Sequence, residues 1–330
     1  MKYNDEGLQG ILFARSKIDN AIRAAQVTAD QWSSREDTGI EIRPEVDTAS
    51  AKFLCRVFIN RPSSFSRLTS QLASAIKLGR ESLDNLITSL AYLNGVNAEN
   101  DRSLSFPIVE DAGKWKKRIK PLTTKLHPDH IRRLADVQPF RQNFIPPDTW
   151  HPLNYLNILA NADKHRTGFK LKATFAPAPG ISQVGSISAK IDGDTIPNED
   201  WLKPQLEDFH INPGPFDHGD VFLSFSIPQS TPLETLQLGG FQPNLTLTAL
   251  VANDSTNFSA VDMTVKSLDF AKGAIEYIYG IQTVAPKPWW PYADLRQLDE
   301  TVLDSIHMHT SNRSRNIVWN GSPSSLKRRV

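Results

Sequence analysis

The sequence predicts an α+β protein. We expect a helical bundle with an N-terminal helix, a β-hairpin and a long central helix, followed by an antiparallel β segment and a final helix that packs back on the bundle. Apolar residues recur at three- and four-residue spacing through much of the first 166 positions, which is typical of amphipathic helices. Between about residues 169 and 251 this spacing changes to the alternation of strands, and helical spacing returns over 261–279.

The first elements are a helix and a hairpin. Apolar positions from Leu8 to Ala25 follow helical spacing. Ile40 and Ile42 then alternate with polar residues, and residues 52–60 are rich in β-branched and aromatic side chains. This pattern predicts two paired strands. Cys55, the single cysteine, falls in the second strand. We interpret it as a packing residue rather than a nucleophile, and one cysteine excludes an internal disulfide.

The central helix begins after Pro62 and ends at the turn Asn94-Gly95, with leucines along one side. Residues 114–133 also have a helical pattern, which Pro121 and Pro128 interrupt, and residues 153–166 form a further helix. Strands are predicted at 169–176, 181–190, 221–227 and 244–251.

These elements predict four regions along the chain. Residues 1–166 form a helical domain with the N-terminal hairpin, 167–258 an antiparallel β segment, and 259–285 a C-terminal helix that packs on the bundle. Residues 286–330 are expected to be a basic, flexible tail.

The charges nearly cancel, because 37 Lys and Arg face 36 Asp and Glu. Locally they do not: residues 112–135 hold eight cations and one carboxylate, and residues 305–330 hold five cations and none. This pattern argues against a general nucleic-acid coat protein and leaves a local anion site open. The N-terminus lacks the apolar core of a secretory signal, and no apolar run has bilayer length, so we expect a cytoplasmic protein without a membrane partner.

Common catalytic motifs are missing from the sequence. It has no Walker-type loop, G-x-G-x-x-G, H-E-x-x-H or G-x-S-x-G, which argues against the common nucleotide hydrolases, dinucleotide oxidoreductases, zincin proteases and α/β-hydrolases. None of the eight histidines has an evident set of neighbouring ligands. We therefore expect neither a metal nor a cofactor.

Two groups of residues could carry a function. The first is Asn161 with Asp163, Lys164, His165 and Arg166. In a structural interpretation, the cations complement the negative end of a helix dipole. In a functional one, His165 transfers protons while Lys164 and Arg166 bind phosphate.

The second group is a basic stretch with an interleaved aromatic residue, formed by Lys114, Trp115, Lys116, Lys117, Arg118 and Lys120. Such a stretch is either a solvated helix face or a patch that binds the phosphate backbone of a nucleic acid. Both interpretations stay open on the sequence.

The order of several motifs resembles a bacterial protein family with an N-terminal helix, a β-hairpin and a helix reading like SALDHLAY. The residues that carry the resemblance are Ala75-Ile76, Arg80, Leu83-Asp84, Leu86, Phe106-Pro107-Ile108, Gln138-Pro139-Phe140, His151-Pro152-Leu153 and the N-x-DKHR run Asn161–Arg166. The resemblance spans about residues 8–285. It implies helices around a β segment and no particular activity.

A second resemblance concerns the Arg-x4-His signature of HEPN domains, many of which are metal-independent ribonucleases. Arg80 and Asp84 are present, but Asn85 stands at the histidine position and cannot transfer a proton. His165 would then have to supply the base from another helix. The resemblance also implies a homodimer.

Three hypotheses follow. The leading one is a non-catalytic binding protein whose basic patch contacts phosphate or RNA, with RNA or another protein as partner. The alternative is a ribonuclease of toxin or phage-defence type that uses Arg80, Asp84, His165 and Arg166. It requires Arg80 and His165 to meet within a phosphate's reach. The third gives the DKHR run a purely structural role.

Overall fold

The computed structural model shows a chain with two compact units. It describes residues 2–34, 39–47, 49–99, 101–141, 151–164, 169–175, 184–189, 210–212, 214–226, 236–239, 245–251, 254–255, 259–288, 306–311 and 314–320. The first unit joins residues 1–34, 65–171 and 249–289, and the second joins 35–64, 172–248 and 290–330. Each compact unit is therefore built from three separate stretches of the sequence. The four consecutive regions expected from the sequence stay a prediction.

Six α-helices are described, and they confirm the α+β class together with the small antiparallel sheets. They are α1 (Lys2–Ser34), α2 (Pro62–Leu93), α3 (Ala112–Ile119), α4 (Pro128–Asp136), α5 (Pro152–Lys164) and α6 (Ala260–Tyr279). Two short 3-10 helices, Lys120–Leu122 and Pro139–Arg141, follow α3 and α4. Pro121 ends α3 and Pro128 begins α4, as the sequence predicts, because proline cannot continue a helix but fits its first turn.

The first unit is built on α1, α2 and α6, whose apolar faces are buried against one another. The fully buried positions include Ile11 and Ile18 on α1, Leu72 and Leu83 on α2, and Leu268 on α6. These positions repeat at the predicted spacing, so the stripes read from the sequence are the faces that form the core.

Helix α6 packs back on the bundle, as predicted. Its start is capped by Ser259, whose hydroxyl accepts from the Asp262 amide, and its end is Gly280 in the left-handed conformation, with φ of 101°. Lys272 on α6 pairs with Asp19 on α1 at 2.8 Å. Helix α2 lies close to α6 at Gly79, where a Cβ atom would lie 2.2 Å from Leu268 Cδ2.

The second unit contains two four-stranded antiparallel sheets. The first has the order β1-β2-β6-β5 and contains the predicted hairpin, β1 (Ile40–Asp47) and β2 (Lys52–Ile59), with β6 (Val221–Ser226) and β5 (His210–Ile211). Cys55 is fully buried in β2, and its burial raises the pKa of the thiol to about 12. This placement agrees with a packing role.

The second sheet has the order β10-β11-β4-β7. It joins β4 (Val184–Ala189) and β7 (Leu236–Gly239) to a hairpin of β10 (Ile306–Ser311) and β11 (Ser314–Asn320). This hairpin lies in the region expected to be a flexible tail. Its two strands pair from Ile306 opposite Trp319 to Ser311 opposite Ser314.

A third, three-stranded sheet has the order β3-β8-β9, from β3 (Lys170–Phe175), β8 (Leu245–Val251) and β9 (Asp254–Ser255). The chain passes between the two units within β3 and β8. Among the described helices, none combines the length and the apolar character that a bilayer crossing needs.

Candidate functional site

Arg80 and Asp84 of α2 grip the backbone of Phe106, and we call this arrangement the Phe106 clasp. Arg80 Nη2 donates to the Phe106 carbonyl oxygen at 2.9 Å, and the Phe106 amide donates to Asp84 Oδ1 at 2.8 Å. Since the two charged residues are one helical turn apart, they face the same side of α2. Together they satisfy both backbone polar groups of one buried residue.

The guanidinium of Arg80 is committed inside this clasp. Arg80 is only 8% exposed. Its Nη1 lies 3.2 Å from Asp84 Oδ1, close enough for an ion pair, although the angle gives Nη1 no hydrogen bond among the described residues. Burial lowers the pKa of Arg80, the Asp84 charge opposes that shift, and the positive charge of Arg118 adds to it. Arg118 on α3 is therefore within electrostatic range of the clasp.

Gln138 holds the same extended segment a few residues further along. Its side-chain oxygen accepts from the Val109 amide at 3.0 Å, and its Nε2 donates to the Leu134 carbonyl at 3.0 Å. Gln138 is fully buried. Three of the motifs read from the sequence therefore meet at the segment 106–109. Arg80 and Asp84 of α2 bind the backbone of Phe106, and Gln138 binds the backbone of Val109.

The basic stretch forms α3, beside that segment. Asp111 caps the helix by accepting from the Gly113 amide at 2.8 Å. Trp115 and Ile119 lie four positions apart and therefore on one side of α3. This is the less exposed side, because Ile119 is buried and Trp115 is only partly exposed. The remaining side chains cover the exposed arc of the helix. We call Lys114, Lys116, Lys117, Arg118 and Lys120 the basic surface, and all five are exposed.

Two of the eight cations of residues 112–135 are engaged by other groups of the fold. Lys125 binds Asp101 and also donates to Ser103 Oγ at 2.6 Å. The hydrogen bonds that Asp101 accepts from Lys125 and from Ser103 lower the pKa of its carboxyl group to about 2. Arg133 donates to the Tyr277 carbonyl at 2.8 Å and lies over the Tyr277 ring. These two cations hold the fold together.

The basic surface is different, because it has almost no countercharge. Lys114 lies 3.9 Å from Asp111, an exposed pair of little energy. Within the part of the chain that the structure describes, the other four have no carboxylate at ion-pair distance: Lys116, Lys117, Arg118 and Lys120. Like charges four apart on an α-helix, such as Lys114 and Arg118, are destabilising by a few tenths of a kcal/mol.

Two histidines of the described region cap helices. His127 Nδ1 accepts from the Asp129 amide at 3.3 Å at the start of α4, and His151 Nδ1 accepts from the Leu153 amide at 3.1 Å at the start of α5. Each precedes a proline at the first helical position. Burial lowers the pKa of His151 to about 3, so its ring is neutral at pH 7. No group of three or more His, Cys, Asp or Glu suited to a metal occurs among the described residues.

The structure brings only part of the DKHR run into view. Asn161 is exposed on α5, and the backbone of Asp163 and Lys164 lies in the last turn of that helix. His165 and Arg166 lie outside the described residues, so the distance from Arg80 to His165 stays untested. Asn85 is partly exposed on α2, one residue beyond the clasp.

The sequence predicts Arg80 and Asp84 as candidate catalytic residues, and in the structure both bind the backbone of Phe106, which the motif alone does not indicate. A signal was present: Arg80 lies four residues after Ile76 and three before Leu83, on the apolar side of the helix. A charge on a buried helix face needs a partner within the protein. Asp84, at i+4, was the evident one.

Comparisons with protein families, with curated proteins and with solved structures give no match for this chain. Both resemblances read from the motifs therefore stay predictions. Two features of the structure bear on function: a buried arginine that binds backbone, and an exposed basic surface with almost no countercharge among the described residues.

Proposed function

We propose that the chain is a non-catalytic binding protein whose basic surface takes a phosphate-rich ligand, with RNA as the first candidate. One observation carries this proposal: four exposed cations crowd into residues 116–120 with no carboxylate partner among the described residues. Their mutual repulsion is relieved when a polyanion binds and its counterions are released. The alternative is a solvated helix face without a ligand. Such a face usually also carries acidic side chains, which lower this repulsion.

The contrast with neighbouring cations strengthens the proposal. Lys125 and Arg133 lie in the same stretch of sequence, yet each is engaged by the protein itself. The segment thus contains structural cations and free cations side by side. The four cations that are unpaired among the described residues, Lys116, Lys117, Arg118 and Lys120, are all exposed, so a ligand could reach them.

Cleavage by the HEPN-like route gains no support from the clasp. The guanidinium would have to bind a phosphate, but its Nη2 is used by the Phe106 carbonyl and its charge by Asp84. We infer that Arg80 maintains the fold and does not handle a substrate. Incubating the protein with total RNA in EDTA should leave the RNA intact on a denaturing gel. Cleavage by the wild type that disappears in a folded Arg80→Ala variant would favour the ribonuclease.

Binding is tested by the salt dependence of the affinity for a fluorescein-labelled RNA oligomer. If four cations neutralise phosphates of a single strand, log K should fall with log salt concentration with a slope of about −2.8, from roughly 0.7 per contact. A variant with Lys116, Lys117, Arg118 and Lys120 all replaced by Gln should lose most of that slope. Lys77→Gln, an exposed lysine of α2, is the matched control and should bind as the wild type does. Equal binding by the fourfold variant would overturn the proposal.

A further inference from the structure

We propose that this site takes single-stranded RNA, with a base stacked on Trp115 while the basic surface binds the phosphates. The inference rests on the proposed function and names the form of nucleic acid that the same surface selects. It goes further because phosphate binding alone does not distinguish single strands from duplexes.

The aromatic part of the site is a pair of rings from two elements. Trp115 of α3 and Phe140 of the following 3-10 helix have ring centroids 5.4 Å apart, with planes tilted by 49°. Because the rings are tilted, Phe140 does not lie flat on the indole, and both residues remain partly exposed. A partly exposed aromatic ring beside cations can serve as a stacking platform for an unpaired base.

Cations border this platform on both elements. Arg118 follows Trp115 by three residues, a spacing that brings helix side chains to about 5–6 Å between Cβ atoms. Arg141, also exposed, lies with its guanidinium 5.9 Å from the centre of the Phe140 ring. A nucleotide stacked on the indole would thus have cations within reach of its own phosphate and of the next one.

The preference for a single strand follows from what the platform contacts. In a duplex the faces of the bases are already stacked on their neighbours. A side chain on a protein surface then meets only the edges of the bases and the sugar-phosphate backbone. Trp115 would then add nothing, and a duplex would bind through the cations alone. The proposal therefore separates two roles: the indole recognises the base, and the basic surface binds the backbone.

The experiment measures fluorescence anisotropy with three probes: oligouridine of about twelve nucleotides, within the span of known single-strand sites, a fully paired RNA duplex of equal length, and inorganic polyphosphate as a competitor without bases. The variants are Trp115→Leu, which removes the platform, and Trp115→Tyr, which keeps an aromatic face. Trp32→Leu is the matched control, since Trp32 is also partly exposed and also packs against a phenylalanine, Phe65.

We expect the wild type to bind oligouridine more tightly than the duplex. Trp115→Leu should weaken oligouridine binding by roughly 5- to 150-fold, the range that stacking of one base gives. Its salt slope and its polyphosphate affinity should stay unchanged, which also shows that α3 is still formed. Trp115→Tyr should retain most of the affinity, and Trp32→Leu all of it.

The failures of the two proposals are distinguishable. If polyphosphate and both RNAs bind equally well, or if Trp115→Leu leaves oligouridine binding unchanged, the stacking inference is wrong while the anion site stands. If Trp115→Leu weakens polyphosphate as much as oligouridine, Trp115 supports the helix and does not contact a base. If none of the three probes binds, the proposed function itself is wrong.

Discussion

Replacing Arg80 by methionine should destabilise the helical unit by about 2–3 kcal/mol. The substitution removes the bond from Nη2 to the Phe106 carbonyl, 2.9 Å long. A hydrogen bond to a charged group contributes about 1.5–3 kcal/mol, and the carbonyl is left buried without a donor. Methionine keeps the aliphatic stem, so no large cavity adds to the loss. The Asp84 side chain is 31% exposed and regains water, so the ion pair contributes little to this figure.

The assay is urea unfolding followed by far-UV circular dichroism, together with hydrogen exchange of the Phe106 amide. Lys77→Met, on the exposed face one turn before Arg80, is the matched control and should stay within about 0.5 kcal/mol of the wild type. Asp84→Asn should lie between, at about 1–2 kcal/mol, because the amide oxygen still accepts from Phe106 while the buried guanidinium loses its countercharge. An Arg80→Met protein as stable as the Lys77→Met control would refute the clasp as a structural device.

Three further outcomes are expected. Burial lowers the pKa of His151 to about 3 in the folded protein, against about 6.5 in the unfolded chain. Its contribution to the free energy of unfolding should therefore be constant above about pH 6.5 and fall as the pH drops towards 3, by up to about 1.4 kcal/mol per pH unit. His151→Asn keeps a cap acceptor and should flatten the change in urea midpoint between pH 7 and 5. Cys55 should react with iodoacetamide only in urea, because it is buried and its pKa is about 12, and rapid labelling of the native protein would contradict this. Gly79→Ala should destabilise by about 1–3 kcal/mol despite its better helix propensity, and in a double-mutant cycle Leu268→Val should recover part of the loss; additive effects would show that the two residues do not contact.

The long helices could be predicted from the sequence because their signal is local. The stripes of α1, α2 and α6 repeat over many turns, and turn or capping residues such as Asn94-Gly95 and Gly280 mark their ends. The short strands β5, β7 and β9 could not be predicted. They are two to four residues long, too short for an alternation to appear, and they exist because a neighbouring strand offers pairing partners.

The candidate site was predictable only in part, for a related reason. The basic surface is formed by five cations within residues 114–120, and local composition alone locates it. The Phe106 clasp instead depends on an extended segment that returns to α2, 22 to 26 positions after the residues that bind it. A motif containing Arg80 and Asp84 indicates that the pair is constrained, but not whether the constraint is a substrate or the protein's own backbone.

Because the first unit joins segments that lie far apart in the sequence, it cannot complete its fold until most of the chain has been synthesised. Arg15 on α1 and Glu276 on α6 are hydrogen-bonded although 261 positions separate them. At a translation rate of 5–20 residues per second, α1 and α2 wait on the order of 10–50 s for the helix that completes their core. During that interval their apolar faces, Ile18 and Gly79 among them, have no α6 to cover them. Because transiently exposed apolar surface promotes aggregation, we expect the growing chain to be most prone to associate with other chains before α6 has been synthesised.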